Sequence, residues 1–482
     1  MQSSPAPLSE PATPTPTPRL SQPTPTLLPP TPTPTSTPVQ TPTPGPTVAP
    51  DLALEFTRVR PNQFLGGIAA RYGVSVEDIA RFSDIADPNF VSIGQALVIP
   101  HRTTRYTPEQ LLLPDSELVY GPAYLGFDTA AFVSAAGGYL STFSMPAPGG
   151  GRWNGAEVVE HVAARYSVGP RVLLALIEAR SGWVTDPDPQ GRARDYPVGH
   201  TRGASGLLNQ LEWAADELNR GFYGWRDRGE TAIRFRDGVV ARGNPVLNAG
   251  TVAVQRVLAA DTNWKDRDAE IAAFREAYER LFGDAFAYDV GPVLPAGTTQ
   301  PEMQLPFPPR EWWFLTSGPH GGWGSGSGWA ALDFVPATAV PGTCDVADAW
   351  AVAVAPGLVA RNDRGELLID LDGDGDIRTG WVLQYLHISD RVPVGTAVEA
   401  GDPVGRPSCE GGMAESAHLH IARRYNGLWV AAAGPVPFVL GGWQAWGRFE
   451  YEGGLRKEDA VPREACDCRD YKRNGVFWWG PE

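Results

Sequence analysis

The chain has 482 residues and a formal net charge of −15 at pH 7, with an isoelectric point near 5. A balance this acidic argues against nucleic acid as a partner. The length allows three compact domains, and no stretch approaches the ~18 apolar residues of a transmembrane segment. We predict a multidomain α+β protein made of a disordered stalk followed by three domains.

Residues 1–51 form a Thr/Pro-rich segment with very little charge, such as TPTPT at 31–35. Proline fixes φ and removes a backbone donor, so we predict a disordered, extended linker. Such stalks typically join an anchor or signal sequence to the first domain of an exported protein. We therefore expect an extracellular or cell-surface protein whose leader or lipid anchor is absent from this sequence; a cytosolic location fits the stalk poorly.

Residues 52–102 carry the pattern of a small β-α-α-β module. The predicted elements are a strand at 56–59, helices at 64–73 and 76–82, and a closing strand at 91–100. Gly73 is placed to end the first helix as a C-cap. Ser75 is placed to begin the second as an N-cap.

Segments 68–74 and 93–100 of this module closely resemble the lysin motif (LysM), which binds N-acetylglucosamine chains. The resemblance implies carbohydrate binding by the first and last loops, here Asn62, Gln63, Phe64, Asp87, Pro88, Asn89 and Phe90. The first loop departs from the usual Gly-Asp-Thr, and Ser83 stands where the family has Asn. The alternative is a spacer module that no longer binds glycan. A single module binds weakly, so its expected role is tethering.

We predict a connector at 103–150 and a helical domain at 151–290. Apolar residues recur at helical spacing over 158–166, 172–177, 213–218 and 270–274. Segments 166–183 and 203–210 resemble lytic transglycosylases and goose-type lysozymes, which implies an all-α, lysozyme-like domain.

The catalytic acid of those lysozymes precedes a Ser-Gly pair, and here that position is Arg180. The nearest carboxylate is Glu178, but two residues along a helix correspond to a rotation of about 200°, so Glu178 should face away. Without a proton donor, glycosidic cleavage stalls. We predict a degenerate domain that retains glycan contact; a muramidase using Glu178 and an unrelated helical bundle are the alternatives.

Residues 295–482 are predicted to form a β domain. Short apolar runs at 350–354, 365–369 and 380–387 are bounded by Gly, Pro, Asn and Asp. The pattern favours an antiparallel β-sandwich or roll with a site in a groove on one sheet.

The β domain also contains all four cysteines, an even number that suits one or two disulfides in an oxidising compartment. We expect a bridge between Cys344 and Cys409, whereas Cys466 and Cys468 could instead form a second metal site. The turn at Asp370–Asp376 matches the front of a calcium loop, but its twelfth position is Trp381 rather than Glu. We favour a polar hairpin tip over a weak Ca²⁺ site there.

Four of the seven histidines fall within about a hundred residues: His320, His387, His418 and His420. Asp333 follows His320 by thirteen positions. A catalytic zinc takes three protein ligands and leaves a position for water, and His320, Asp333 and one of the His418/His420 pair supply such a set. The remaining His of the pair, with His387, can shuttle a proton or stabilise an oxyanion. The alternative is that these histidines never meet.

The motifs around these residues are GPH at 318–320, LDF at 332–334, YLHIS at 385–389 and AHLHI at 417–421. In this order they resemble the lysostaphin/staphylolysin-type zinc endopeptidases, and the long His-to-Asp gap is similar to the staphylolytic, elastin-cleaving branch. The resemblance implies one zinc per chain with ligands His320, Asp333 and His420, and a catalytic pair, His387 and His418.

The same resemblance implies a secreted or surface-anchored enzyme that hydrolyses peptide cross-links of peptidoglycan and is held on the wall by the LysM module. Gly-containing bonds are the expected target, and we expect a monomer. The alternatives are a catalytically silent wall-binding scaffold that activates other hydrolases, and a secreted protease acting on Gly-rich proteins. All five family positions are filled, which weighs against the silent scaffold.

Overall fold

The computed structural model describes residues 49–480, which belong to one compact unit. The predicted stalk therefore lies outside the described residues except for 49–51. Within 49–480, every helix is too short or too polar to span a membrane.

The first module has the predicted β-α-α-β order. Its elements are β1 (Leu52–Arg58), α1 (Leu65–Tyr72), α2 (Val76–Phe82) and β2 (Ala96–Arg102). The two strands pair antiparallel along their whole length, so β1 begins four residues earlier than the apolar pattern suggested. Gly73 adopts the left-handed conformation, and the Ser75 side chain accepts from the Asp78 N–H, as both cap predictions require.

The second domain is mainly helical. Its helices are α3 (Asp115–Leu118), α4 (Thr129–Ala136), α5 (Tyr139–Thr142), α6 (Gly155–Tyr166), α7 (Pro170–Ser181), α8 (Arg192–Asp195), α9 (Leu207–Tyr223), α10 (Ala249–Asp261) and α11 (Arg267–Phe282). Helix α6 begins with a capping box between Asn154 and Glu157, and α7 begins at Pro170, whose missing N–H costs nothing there. A π-helical turn, Gly224–Arg228, follows α9 directly.

This domain differs from the prediction in two respects. It contains two short hairpins, β3 (Ser144–Pro146) with β4 (Arg152–Asn154) and β5 (Ala232–Arg234) with β6 (Val240–Arg242), so it is not all-α. The segment predicted as a connector, 103–150, also contributes Leu113, Tyr124 and Leu140 to the core that holds α6 and α7. Its apolar residues are spread over short helices and turns, which show no sustained period in the sequence.

The third domain consists of short strands. They are β7 (Trp313–His320), β8 (Ala331–Pro336), β9 (Ala351–Val352), β10 (Gly357–Asp363), β11 (Glu366–Asp370), β12 (Trp381–Leu386), β13 (Ile388–Ser389), β14 (Ala397–Val398), β15 (Pro403–Pro407), β16 (Leu419–Tyr425), β17 (Leu428–Trp429), β18 (Val439–Leu440), β19 (Trp443–Trp446), β20 (Gly454–Arg456), β21 (Arg463–Glu464) and β22 (Gly475–Val476). The large antiparallel sheet has the order β14-β10-β11-β12-β16-β8-β7-β22, with β17 beside β16.

The two faces of this large sheet have different environments, because alternate residues of a strand point to opposite sides. One face buries Phe334, Tyr385 and Ile421 in a core shared with the small sheets β13-β15-β9 and β18-β19-β20-β21. The other face lies against the helical domain, where Arg424 donates to the carbonyl oxygens of Ala164 and Arg165 at 2.8 and 3.1 Å. The predicted zinc ligands lie on this second face.

Candidate metal centre

The candidate metal centre lies where three adjacent strands of the large sheet meet. His320 is the last residue of β7, Asp333 lies in β8, and His420 lies in β16 directly opposite Asp333. The strand order places β8 between the other two, so residues a hundred positions apart become neighbours. His418 precedes His420 by two residues and faces the same side of the sheet.

Three side-chain atoms converge at this point. His320 Nε2 is 3.0 Å from His420 Nδ1 and 3.3 Å from Asp333 Oδ1, and His420 Nδ1 is 3.2 Å from the same oxygen. All three residues are buried. Within the described residues Asp333 Oδ1 receives no hydrogen bond, and a buried carboxylate oxygen left in that state is costly. A cation held among the three atoms satisfies it.

The outer nitrogen of each ligand ring is held by a backbone carbonyl. His320 Nδ1 donates to Gly318 O at 2.9 Å, and His420 Nε2 donates to Gly322 O at 3.1 Å. Each donation leaves the opposite ring nitrogen deprotonated and turned toward the centre, which is the usual support for a metal-binding imidazole. Two imidazoles and one carboxylate are also the ligand types that a catalytic zinc takes, so these residues fit the metal.

The charge of Asp333 is favoured by its surroundings. Burial alone raises the pKa of this carboxyl, but the adjacent His320 and His418 outweigh burial and hold its pKa well below the usual range. An ionised carboxylate is the form that binds a divalent cation.

His387 and His418 lie beside the three candidate ligands. Their ring centroids are 4.5 Å apart, and His418 Nε2 is 3.7 Å from Asp333 Oδ1. His387 Nδ1 donates to Glu410 O at 2.9 Å and His418 Nδ1 donates to Ser416 O at 2.8 Å. Burial, reinforced by the neighbouring His418, lowers the pKa of His387 to about 3. His387 is therefore a neutral imidazole at neutral pH, with Nε2 free to accept a proton.

His387 also occupies an uncommon backbone conformation, with φ of +59°. The chain leaves the large sheet here, because β12 ends at Leu386 and β13 begins at Ile388 in another sheet. The His387 carbonyl accepts from the Ser408 N–H at 2.6 Å, which fixes this corner. Non-glycine residues in this region are strained and are enriched at functional sites.

Two residues outside the sequence motifs shape the centre. The ring of Tyr451 stacks on His320 with centroids 4.6 Å apart and planes inclined by 15°. Asp216, on α9 of the helical domain, accepts from the Gly326 N–H at 2.7 Å and from Ser325 Oγ at 2.6 Å. Gly326 and Ser325 belong to the loop 321–330, which also supplies the Gly322 carbonyl that accepts from His420. Tyr451 and Asp216 carry no sequence motif, so neither could be found from the sequence.

Comparisons with known proteins find similar sequences over much of the chain. A family model described as "LysM domain" matches residues 57–100, and one described as "LasA, N-terminal domain" matches residues 111–293. Protease LasA of Pseudomonas aeruginosa is 27% identical over 360 residues, which cover 68% of this chain and 80% of that protein. The chain is therefore LasA-like in sequence and contains a match to the LysM domain.

Solved structures are similar to the LasA-like chain over part of its length. The M23 metalloprotease pseudoalterin, from the deep sea, is 22% identical, covers 35% of this chain and 96% of its own, and has a TM-score of 0.29. The catalytic domain of lysostaphin from Staphylococcus simulans is 21% identical, covers 25% of this chain and 87% of its own, and has a TM-score of 0.18.

The helical domain of the LasA-like chain is thus matched by the family model of the LasA N-terminal domain, and the resemblance of 166–183 and 203–210 to lysozymes stays a prediction. Glu178 is buried and fully engaged: it accepts from Thr185 Oγ1 at 2.6 Å and pairs with Arg280 at 2.8 Å. Arg180 pairs with Glu270 at 2.7 Å. These contacts give Glu178 a structural role and lend no support to a muramidase.

The predicted carbohydrate-binding residues of the LysM domain lie on two loops at its surface. Phe64 and Phe90 are 69% and 73% exposed, and Asn62, Asp87, Pro88 and Asn89 are exposed as well, whereas Gln63 is half-buried and its side chain accepts from the Arg60 N–H. Two exposed aromatic rings provide flat apolar faces of the kind on which sugar rings pack.

The cysteines and the Asp370–Asp376 turn of the LasA-like chain were the other candidate metal sites. Cys344 pairs with Cys409, as expected, and Cys466 pairs with Cys468, so a second metal site on those two cysteines was a wrong alternative. The carboxylates of Asp370, Asp372 and Asp374 lie close together, but Asp370 is buried and accepts from the N–H groups of Asp372 and Gly375. These are the contacts of a polar turn, and nothing in the comparisons supports calcium there.

Proposed function

We propose that this LasA-like peptidase is a zinc endopeptidase that hydrolyses peptide cross-links of peptidoglycan at or outside the cell surface, with the LysM domain holding it on the glycan. The observation that carries the proposal is the convergence of His320, Asp333 and His420 around a carboxylate oxygen that receives no hydrogen bond within the described residues. The LysM match supports the glycan contact.

The proposed mechanism assigns a role to each of the five residues. His320 Nε2, His420 Nδ1 and Asp333 Oδ1 would hold the ion. Bound zinc would supply a Lewis acid for the peptide carbonyl and lower the pKa of its water to about 7. His387 is neutral, so its Nε2 can take the proton of the attacking water and then give it to the leaving amine, while His418 is placed to stabilise the developing negative charge.

The proposal is tested on the full chain and its His420→Ala variant, with zinc content and digestion of purified peptidoglycan measured together. About one zinc per chain and new amino termini in the digested peptides are expected for the wild type, and neither for the variant. Mass analysis of the fragments gives the bond that is cut. A wild-type chain that binds peptidoglycan but holds no zinc and releases no new termini would be a wall-binding scaffold instead.

A further inference from the structure

Four aromatic side chains of the β domain cluster at the edge of the large sheet, where β22 pairs with β7. Their rings follow one another in the order Tyr471, Trp312, Phe477 and Trp479, with neighbouring centroids 5.0 or 5.1 Å apart. Trp479 is 77% exposed and Tyr471 is 54% exposed, whereas the other two rings are half-buried. We call these four residues the aromatic platform.

The aromatic platform lies on the same side of the large sheet as the candidate metal centre. Val335 follows Asp333 by two residues in β8, so both side chains point to that side, and Phe314 of β7 is directly opposite Val335. The Tyr471 ring is 5.1 Å from the Phe314 ring and therefore packs on this side. Trp312 precedes Phe314 by two residues, so the platform begins about 13 Å along the strands from Asp333, at about 3.3 Å per residue.

The chemistry of the platform suits sugar rings. A sugar ring has an apolar face that packs on an aromatic ring, and its hydroxyl groups can bond to the Tyr471 hydroxyl and the Trp479 indole N–H. Rows of aromatic rings also bind single-stranded nucleic acid, but only beside a strongly positive groove. Residues 463–473 carry four basic and three acidic side chains, so the charge beside the platform is nearly balanced and favours a polymer that is not held by charge.

A second copy of this chain fits the platform less well than a polymer does. Complete burial of the two exposed rings, Trp479 and Tyr471, would cover at most about 500 Å², whereas a stable protein interface covers about 800 Å² on each partner. A polymer needs no such area, because weak contacts at linked sites reinforce one another. The LysM domain offers the other contact through its exposed Phe64 and Phe90 rings.

We propose that the aromatic platform is a second glycan-binding surface, on which sugar rings of a peptidoglycan strand pack. This inference rests on the proposed function and deepens it, because the cross-linking peptides are attached to the glycan. A strand held on the platform brings those peptides toward the candidate metal centre on the same side of the sheet. Removal of one exposed ring should weaken glycan binding about threefold to tenfold.

The test measures binding of peptide-free glycan chains to the full-length protein by isothermal titration calorimetry. The glycan is prepared by enzymatic removal of the peptides from purified peptidoglycan. Phe64→Ala/Phe90→Ala removes the exposed LysM rings, so the affinity that remains reports on the platform. In this background Trp479→Ala should weaken glycan binding about threefold to tenfold. Trp350→Ala, at a tryptophan of the β domain that is 41% exposed and lies outside the platform, is the matched control and should leave glycan binding unchanged.

Two results of this titration would overturn the inference. One is equal glycan affinity in the Trp479→Ala and Trp350→Ala variants, and the other is complete loss of glycan binding in Phe64→Ala/Phe90→Ala alone. Trp479 is largely exposed, so its replacement should leave the fold intact.

A parallel titration with the released peptides distinguishes glycan from peptide as the ligand. Trp479→Ala should bind these peptides like the wild type, and loss of peptide affinity with unchanged glycan affinity would make the platform a peptide site and overturn the inference. Neither titration requires hydrolysis. Glycan binding at the platform can therefore be established in a chain that cuts no peptide bond, and it can be refuted in one that is an active peptidase.

Discussion

The guanidinium of Arg58 lies over the ring of Tyr451, with Cζ 4.6 Å from the ring centroid. Arg58 is the last residue of β1 in the LysM domain, and Tyr451 is the residue stacked on the candidate ligand His320. Arg58 also donates to the Glu450 carboxylate at 3.0 Å and to Gly94 O at 2.7 Å. The LysM domain therefore packs against the residue that contacts the candidate ligand His320.

Arg58→Ala should lower kcat/KM about threefold to tenfold, because Tyr451 loses a cation–π contact and Glu450 loses its ion pair. Tyr451 has φ of +64°, a conformation that its neighbours must maintain. Zinc content and binding to insoluble peptidoglycan should not change, since Arg58 is neither a ligand nor on the exposed LysM loops. Arg81→Ala, at an exposed LysM residue paired with Asp78, serves as the control. Equal loss in both variants would contradict a role for Arg58 at the centre.

Asp216→Ala should weaken zinc binding roughly tenfold, an effect typical for the loss of an outer contact of a metal site. Asp216 fixes the loop 321–330 through Gly326 and Ser325, and this loop supplies the carbonyl that orients His420. Asp216→Asn keeps one acceptor oxygen and should recover part of the affinity.

Competition with a chelator of known affinity measures how tightly these Asp216 variants bind zinc. Asp268→Asn, on α11 and largely exposed, is the control that should bind zinc like the wild type. Wild-type zinc affinity in Asp216→Ala would show that the loop keeps its shape without the contacts of the Asp216 side chain.

The β-α-α-β module could be predicted because its signals are local, and the structure brings His320, Asp333 and His420 together, while their roles stay predictions. Helix caps such as Gly73 and Ser75 act within a few residues, and an HxH pair on a strand must face one side. Motif resemblance in the sequence also placed His320 and Asp333 in one site. The distances between their side chains could be given only once the strand order was known.

Contacts between domains could not be predicted. Asp216 and Arg58 are ordinary helix and strand residues in the sequence, and their importance arises only because α9 and β1 pack against loops more than a hundred residues away. The connector at 103–150 was misjudged for a related reason: short helices and turns bury apolar residues without a periodic pattern.

His387→Asn and His418→Ala should keep zinc but lower kcat by a factor of about 10² to 10⁴, the range typical of a lost general acid or base. Asparagine is chosen at 387 because it tolerates the positive φ found there. His320→Ala, Asp333→Ala and His420→Ala should lose zinc and activity together. Metal analysis beside a peptidoglycan assay distinguishes the two groups, and loss of zinc from His418→Ala would make His418 a ligand.

Glu55 should make the LysM domain sensitive to acid. Its carboxylate lies between two domains, 2.9 Å from His101 Nε2 in β2 and 2.7 Å from the Arg234 guanidinium in β5. Burial alone raises the pKa of Glu55, but hydrogen bonds from His101 and Arg234 outweigh it and lower the pKa from 4.5 to about 2. Glu55 is therefore ionised in the folded protein over a pH range in which the unfolded chain is already protonated.

A carboxyl whose folded pKa is depressed stabilises the protein above its unfolded pKa and loses that contribution as pH falls. The contribution of Glu55, up to about 3 kcal/mol, should be complete above pH 5 and disappear between about pH 4.5 and 2. Glu55→Gln should be less stable than the wild type at pH 6, and the difference in melting temperature should shrink as pH approaches 2. Glu77→Gln, at an exposed LysM residue, should match the wild type throughout. A Glu55→Gln difference that does not change with pH would mean that the carboxylate charge contributes nothing to this contact.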